Sequence, residues 1–96
     1  MAVNMQITHV PGKNKGNIML FALSTCGWCK KTKALLNELG VEYHYVDVDQ
    51  LKGAEQESVI DEMGKYNPAT NFPTMVLGSG KVIIGFKEDD IRKALK

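Results

Sequence analysis

The sequence predicts an α/β fold with a four-stranded mixed sheet and about three helices. Short apolar runs alternate along the chain with longer segments whose apolar residues recur at the helical period. The first apolar run is joined by short connections to the helical segment after it and then to the second apolar run. This order is typical of two parallel strands linked by a right-handed helical crossover. Two later runs flank a Gly-Ser-Gly turn, so we expect them to form an antiparallel hairpin.

Length and composition favour one small domain with a single core, because the chain has 96 residues, of which 44% are hydrophobic and 24% charged. A net charge of +1 gives no argument for a nucleic-acid or membrane partner, and no apolar run approaches the roughly 20 residues that span a bilayer. The amino terminus lacks the features of a signal peptide, and two cysteines without an export signal favour a reducing compartment. We therefore expect a cytoplasmic monomer that binds neither nucleic acid nor membranes.

Residues 1–16 are predicted to form a leader strand and a turn, and residues 17–96 the main domain. The strand is expected within 1–9 and the turn within 10–16, which contains proline and glycine. The sequence leaves open whether this strand pairs with the main sheet. The apolar residues that alternate along it are Val3, Met5 and Ile7.

In the main domain, the first strand is predicted over 17–23 and the first helix over 27–39, with Gly40 as its left-handed end. One face of this helix is expected to pack on the sheet through Cys29, Leu35, Leu36 and Leu39. Its polar residues are expected in solvent, namely Lys30, Lys31, Lys33, Asn37 and Glu38. The remaining elements are predicted as a strand over 41–49, a helix over 52–66, strands over 74–77 and 81–84 around a turn at 78–80, and a last helix over 87–95.

Two cysteines, Cys26 and Cys29, lie where the first strand passes into the first helix. The unpaired N–H groups and the dipole at a helix start stabilise a thiolate at Cys26, with help from the ammonium groups of Lys30 and Lys31. Cys29 is one helical turn further on, so its sulfur is near enough to attack a mixed disulfide formed at Cys26. The spacing therefore predicts a nucleophilic Cys26 and a resolving Cys29.

A structural disulfide and a zinc site are the alternative interpretations of such a cysteine pair. A bridge that closes so short a loop constrains little of the unfolded chain. Zinc needs about four ligands, whereas the other candidates, His9 and His44, are far apart in sequence. Redox chemistry is therefore the favoured interpretation, and neither histidine is expected to bind a metal.

Other polar residues flank the predicted strands near the cysteines. Asp47 and Asp49 share one face of a strand, but without further oxygen ligands they are expected to end that strand in solvent rather than bind a cation. Ser24 or Thr25 is expected to cap the first helix or to hydrogen-bond near Cys26, and simple capping is favoured.

Three motifs of this chain resemble those of the thioredoxin superfamily and, within it, of the glutaredoxin-like redoxins. They are Cys26-Gly27-Trp28-Cys29, Phe72-Pro73-Thr74, and Gly85-Phe86 before an acidic helix start. The resemblance covers about residues 17–96 and implies a thioredoxin-like fold. It also implies that the Phe72–Pro73 peptide bond is cis, that Pro73 faces the cysteines, and that the backbone of Phe72 pairs with a bound thiol peptide.

The same resemblance implies a substrate-binding set around the two cysteines. Trp28 would offer an apolar face beside the sulfur of Cys26. Asp89 and Asp90 would hold an amino group of the substrate and Lys87 a carboxylate, unless these charges only complement the dipole of the last helix. The full set is Thr25, Gly27, Trp28, Lys30, Phe72, Pro73, Thr74, Gly85, Phe86, Asp89 and Asp90.

The sequence departs from the pattern of the superfamily at three places. Thioredoxins usually have a buried aspartate where this chain has Leu20, which favours the glutaredoxin side. Glutaredoxins that use glutathione commonly carry a lysine at the position of Leu23 and a Gly-Gly pair where this chain has Gly85-Phe86. In this respect the chain is similar to the glutathione-independent redoxins, such as the ribonucleotide-reductase-linked redoxins and methanoredoxin-like proteins.

The expected function is thiol–disulfide oxidoreduction on protein or small-molecule disulfides, with no bound cofactor. The expected electron donor is glutathione, another small thiol or a thioredoxin reductase. Two alternatives stay open. One is an iron–sulfur cluster binding or delivery module that uses Cys26, with which Gly27 is compatible, and the other is a thiol-based regulator that senses oxidation.

Overall fold

A computed structural model of the protein describes residues 7–69 and 71–95. The order of its elements is the predicted β-α-β-α-β-β-α, preceded by one additional strand. The strands are β1 (Thr8–Val10), β2 (Ile18–Ala22), β3 (Tyr43–Asp47), β4 (Thr74–Leu77) and β5 (Val82–Ile84). The helices are α1 (Gly27–Leu39), α2 (Gly53–Gly64) and α3 (Glu88–Ala94), with a 3₁₀ turn at Val48–Gln50. In this described part, no helix has the length and apolar character needed to cross a membrane.

The strands form one mixed sheet in the order β1-β3-β2-β4-β5. β2 and β3 are parallel and are connected through α1, whereas all other neighbouring strands are antiparallel. The register places Ala22 of β2 beside Asp47 of β3, and Phe21 beside Thr74 of β4. The expected thioredoxin-like α/β fold is confirmed, and the additional strand pairs with the main sheet. Because the end of β2 lies beside the start of β4, the loops after β2 and before β4 meet at one end of the sheet.

Helix α1 has the predicted bounds. Gly40 ends it in the left-handed region at φ 69°, and its N–H donates to the carbonyl oxygens of Leu36 and Asn37. The buried face carries Cys29, Thr32, Leu35 and Leu36. Thr32 is a polar residue on this apolar face because its hydroxyl donates to the backbone oxygen of Trp28 at 2.9 Å.

Two later elements are shorter than the sequence predicts by more than one residue at an end. β3 covers 43–47 rather than 41–49, because Val41 instead bridges to Lys13 and the chain after Asp47 tightens into the 3₁₀ turn. α2 covers 53–64 rather than 52–66. The N–H groups of Lys65 and Tyr66 donate to carbonyls only three residues back, so the last predicted turn is too tight for an α-helix.

The core consists of two apolar clusters, one on each face of the sheet. On the first face, α1 and α3 pack against strand residues such as Leu20 and Met75. On the second face, α2 packs through Val59 and Met63. Cys29 belongs to the first cluster and is 0% exposed, so the second cysteine of the pair lies inside the core.

The described part of the leader lies along β3. β1 pairs antiparallel with β3, with Thr8 opposite Tyr45. Further on, the N–H of Lys13 donates to the oxygen of Gly40, and the N–H of Glu42 donates to the oxygen of Lys13, each at 2.8 Å. A Cβ on Gly12 would lie 2.6 Å from the backbone carbon of Val41, so only glycine permits this close approach. The predicted strand residues Val3 and Met5 lie outside the described residues.

Candidate active site at the start of α1

The two cysteines differ in exposure. Cys26 is half-buried at the N-cap of α1, while Cys29 is fully buried in the helix. The N–H of Cys29 donates to Sγ of Cys26 at 3.2 Å, so the first sulfur accepts a helix N–H as the sequence predicts. Both are free cysteines. The expected capping by Ser24 or Thr25 is wrong, because Cys26 itself occupies the cap position.

The environment of Cys29 keeps its thiol protonated. Burial in the apolar cluster, followed by the side-chain hydrogen bond with Cys26, raises the pKa of Cys29 to about 12. A buried, neutral thiol does not attack disulfides from solution. Cys26, on the accessible side, is the sulfur that an incoming disulfide can reach.

The loop before β4 brings the Phe-Pro-Thr motif to the same end of the sheet. The Phe72–Pro73 peptide bond is cis, as the resemblance implies. Within residues 7–69 and 71–95, neither the N–H nor the C=O of Phe72 has a hydrogen-bond partner. The oxygen of Pro73 accepts from the N–H of Gly85 at 2.8 Å, which ties the two later motifs together. Phe72 thus offers free backbone groups on a fixed loop.

Five residues of the predicted substrate-binding set line one groove of about 240 Å³. The ring of Trp28 is 58% exposed and stacks on Phe86, with 5.9 Å between ring centroids. Nζ of Lys31 lies 4.6 Å from the centre of the Trp28 ring. The groove is therefore lined by apolar residues, and the ammonium of Lys31 lies over one of them, Trp28. Its lining residues are Trp28, Phe72, Pro73, Gly85 and Phe86.

The other predicted substrate-binding residues lie around this groove or apart from it. Thr25, Gly27 and Lys30 are exposed near Cys26. Asp89 and Asp90 are exposed in the first turn of α3, where they line a separate polar cavity with Lys87 and Glu88. Thr74 is 0% exposed, so its side chain supports the loop from behind and does not face the groove.

Asn67 is a residue whose role the sequence does not reveal. It is 2% exposed, and its amide donates to Oγ1 of Thr74 at 2.9 Å and to the oxygen of Asn71 at 3.3 Å. Oγ1 of Thr74 in turn donates to the oxygen of Asn71 at 2.6 Å. This network holds the cis-proline loop from inside. No sequence pattern indicates that an asparagine seven residues before a threonine is buried.

Asp49 is exposed, as expected, but it lies beyond the end of β3 rather than on the strand, and it supports the loop that leads to Cys26. Its carboxylate accepts hydrogen bonds from the backbone N–H of Ser24 at 2.8 Å and from the hydroxyl of Ser24 at 2.5 Å. These two bonds, the hydroxyl first, lower the pKa of Asp49. The 3₁₀ turn after β3 is the cause, since it turns Asp49 off the strand face that it was predicted to share with Asp47.

Lys33 and Asp47 were also expected in solvent and instead form a half-buried ion pair. Nζ of Lys33 lies 2.8 Å from Oδ1 of Asp47, and each side chain is 20% exposed. The same ammonium lies 4.0 Å from the centre of the Tyr45 ring. The pair forms because β3 places Asp47 beside Ala22, below α1, where Lys33 can reach it.

Among residues 7–69 and 71–95 there is no cluster of three or more histidine, cysteine or acidic side chains that could hold a metal ion. His9 and His44 lie on paired strands, and their rings stack with 4.7 Å between centroids. Nε2 of His9 lies 2.6 Å from Oε2 of Glu42. The two histidines, far apart in sequence, are therefore neighbours in the fold, but at β1 and β3 rather than beside the cysteines.

The fold and the two close cysteines at the start of α1 define a thioredoxin-fold redox protein. The chain belongs to the glutaredoxin family, since the family model described as Glutaredoxin matches residues 18–83.

Known proteins similar to this chain include both sequence relatives and solved structures. A glutaredoxin-like 8.6 kDa protein in the rubredoxin operon of Clostridium pasteurianum, itself uncharacterized, is 30% identical over 82% of this chain and 97% of that protein. The glutaredoxin of Methanosarcina mazei is 47% identical with a TM-score of 0.85, over 93% of this chain and 86% of that one. The methanoredoxin of Methanosarcina acetivorans is 49% identical with a TM-score of 0.84, over 88% of each chain.

Proposed function

We propose that this protein is a dithiol–disulfide oxidoreductase that works through Cys26 and Cys29. The observation that carries the proposal is the difference between the two sulfurs, one accessible at a helix start and the other buried and protonated behind it. The Cys26 thiolate attacks a substrate disulfide and forms a mixed disulfide, and one substrate sulfur leaves with the electron pair. Cys29 then attacks Sγ of Cys26, which releases the second substrate sulfur and leaves a Cys26–Cys29 disulfide.

The proposed substrates are disulfides in proteins and in small molecules. The free backbone groups of Phe72 can pair with an extended peptide in the manner of an added strand. The groove beside them can accept an apolar side chain next to the substrate cysteine, because Trp28, Phe86 and Pro73 line it. The chain needs no bound cofactor for this reaction and acts as a monomer in the cytoplasm.

The proposed electron donor is a thioredoxin reductase or a small thiol other than glutathione. Leu23 occupies the position from which a lysine would meet a glutathione carboxylate, and the groove lining contains no charged side chain. Lys31 is not among the lining residues, and its ammonium lies over the ring of Trp28. Glutathione would therefore lack a charged partner inside the groove.

The test is reduction of the oxidised protein by two donor systems in parallel, followed through NADPH consumption. One contains NADPH and thioredoxin reductase, and the other contains glutathione, glutathione reductase and NADPH. We expect faster turnover with thioredoxin reductase. Preference for glutathione would contradict the proposed donor but keep the reaction. The reaction itself would be contradicted if both systems failed and the reduced protein also failed to reduce a test disulfide that dithiothreitol reduces.

The Cys26→Ser variant and an absorption spectrum are the controls. Cys26→Ser is expected to show no turnover in either system. Protein purified without oxygen is expected to be colourless with two titratable thiols. Visible absorption that disappears in Cys26→Ser would instead support the iron–sulfur alternative.

A further inference from the structure

Lys33 is the charged residue of α1 that lies one helical turn beyond Cys29, on the side of the helix that faces β3. Residues at i and i+4 of a helix are neighbours, with about 5–6 Å between their Cβ atoms. Two contacts fix the ammonium there, the ion pair with Asp47 at 2.8 Å and the Tyr45 ring at 4.0 Å. The ammonium therefore has few alternative positions on a residue one helical turn from the buried thiol, unlike the exposed ammonium of Lys30.

The reaction of Cys29 needs such a charge. Before it can attack, the Cys29 thiol must lose its proton inside an apolar cluster, where a thiolate is disfavoured. Of the two charged groups that act on Cys29, Lys33 favours the thiolate and Cys26 disfavours it, and a backbone hydrogen bond at Leu23 favours the thiolate more strongly than Lys33 does. From β3, Tyr45 and Asp47 face Lys33. The charged residue of α3 that contacts α1 is already paired, since Arg92 bridges Glu38 and Glu88.

We propose that Lys33 is a positioning residue for the second half of the reaction, in which its ammonium stabilises the Cys29 thiolate that resolves the mixed disulfide. This inference rests on the proposed function. In the step, Cys29 gives up its proton and its sulfur bonds to Sγ of Cys26. The bond between Cys26 and the substrate sulfur breaks, and the electron pair and, through solvent, a proton end on the released thiol. The two cysteines are oxidised and the substrate disulfide is reduced, so atoms and electrons balance.

The two steps can be observed separately with dithiobis(nitrobenzoic acid), a symmetric disulfide that releases a coloured thiolate at each step. The reduced protein is mixed with a small excess of this reagent in a stopped-flow instrument over a range of pH. The first burst of colour reports attack by Cys26, and the second burst reports resolution by Cys29. Both bursts are recorded for the unchanged protein and for Lys33→Gln, Lys33→Arg, Asp47→Asn and Lys65→Gln.

We expect Lys33→Gln to slow the second burst by about tenfold at neutral pH and to move its pH midpoint up by about one unit, since one pKa unit corresponds to a tenfold change. The first burst is expected to change less than twofold. Lys33→Arg is expected to restore the second burst. Lys65→Gln removes an equally charged side chain that is 70% exposed directly after α2 and is expected to leave both bursts unchanged.

Asp47→Asn separates a charge effect from a packing effect. It breaks the same ion pair but leaves the ammonium over Tyr45, so the pH midpoint of the second burst is expected to stay or to fall. Two results would overturn the inference: a pH midpoint of the second burst that rises equally in Asp47→Asn and Lys33→Gln, or one that does not move in Lys33→Gln. In both cases a normal first burst would still support the proposed function. Absence of the first burst in the unchanged protein would instead overturn the proposed function.

Discussion

The amide of Asn67 donates a hydrogen bond of 2.9 Å to the hydroxyl of Thr74, and both side chains are almost completely buried. Asn67 follows α2 on one face of the sheet, whereas Thr74 begins β4 directly behind Pro73. The bond therefore connects the segment after α2 to the loop that lines the groove with Trp28. No buried side-chain nitrogen or oxygen among the described residues is left without a partner, so this network is complete.

The first prediction concerns that hydrogen bond. Asn67→Ala leaves Oγ1 of Thr74 and the oxygen of Asn71 with one donor fewer in a buried place, which is expected to lower the free energy of unfolding by about 1–3 kcal/mol. Urea unfolding measures it. Asn71→Ala is the matched control, because the side chain of Asn71 is exposed and its network contact is made by the backbone. Its effect is expected to stay within about 0.5 kcal/mol. Equal effects of the two variants would contradict the role of the buried amide.

The second prediction separates the roles of the two cysteines. Cys26→Ser is expected to abolish disulfide reduction, because the remaining thiol is buried and protonated. Cys29→Ser is expected to form mixed disulfides with protein substrates that persist, since the sulfur that resolves them is missing. Non-reducing gel electrophoresis after mixing with an oxidised protein substrate measures both outcomes. Retained turnover in Cys26→Ser would show that the nucleophile is assigned to the wrong sulfur.

The third prediction follows from the raised pKa of Cys29. Iodoacetamide reacts with thiolates, so in the folded protein it is expected to label Cys26 and leave Cys29 unlabelled until the pH approaches the Cys29 pKa of about 12. The raised pKa also determines how the stability of the fold changes with pH. An unfolded cysteine loses its proton near the ordinary value of 9.0, so burial of the neutral thiol favours folding below that value and loses its contribution as the pH rises toward 12.

Mass spectrometry of the labelled peptides tests this order of reaction. The same labelling in denaturing urea is the control, in which both cysteines are expected to react alike. Equal labelling of both cysteines in the folded protein at neutral pH would contradict the burial of Cys29.

The fourth prediction concerns the stack of Trp28 on Phe86. Either Trp28→Ala or Phe86→Ala removes one wall of the apolar groove, and aromatic pairs contribute about 0.5–1.5 kcal/mol beyond their buried area. We expect KM for a peptide disulfide with an apolar residue beside its cysteine to rise about three- to tenfold, with a much smaller rise for a glycine-flanked peptide.

Tyr66→Ala is the matched control for the groove, because Tyr66 is 41% exposed and lines a different cavity beside Met19 and Val76. It is expected to leave KM for both peptides unchanged. If the two peptides lost affinity equally in Trp28→Ala, the groove would not distinguish the flanking residue.

The sequence predicts well those features that depend on neighbouring residues. The bounds of α1 follow from a strand that ends in polar residues and from Gly40, and the relation of Cys26 to Cys29 follows from helix geometry alone. The cis peptide at Phe72–Pro73 was implied by a short motif and is confirmed. In each case the residues that decide the structure lie within about one turn of one another.

Features that join distant elements were missed or wrong. Lys33 was placed in solvent because its pattern on α1 is polar, and only the register of β3 under that helix brings Asp47 within 2.8 Å of it. Asp49 meets Ser24 because a 3₁₀ turn, which no residue pattern announced, follows β3. Such contacts depend on how strands align with one another, and residue spacing carries no record of that alignment.

The position of β1 protects the sheet from unwanted partners. Without its three residues, β3 would carry a bare edge of backbone donors and acceptors, which is a template for strand addition and aggregation. At the other edge, β5 has three residues and is followed at once by Gly85, whose φ of 85° turns the chain away. Because both edge strands are short, two molecules joined by a transient disulfide have few backbone groups with which to pair their sheets. They can therefore dissociate once the disulfide is broken.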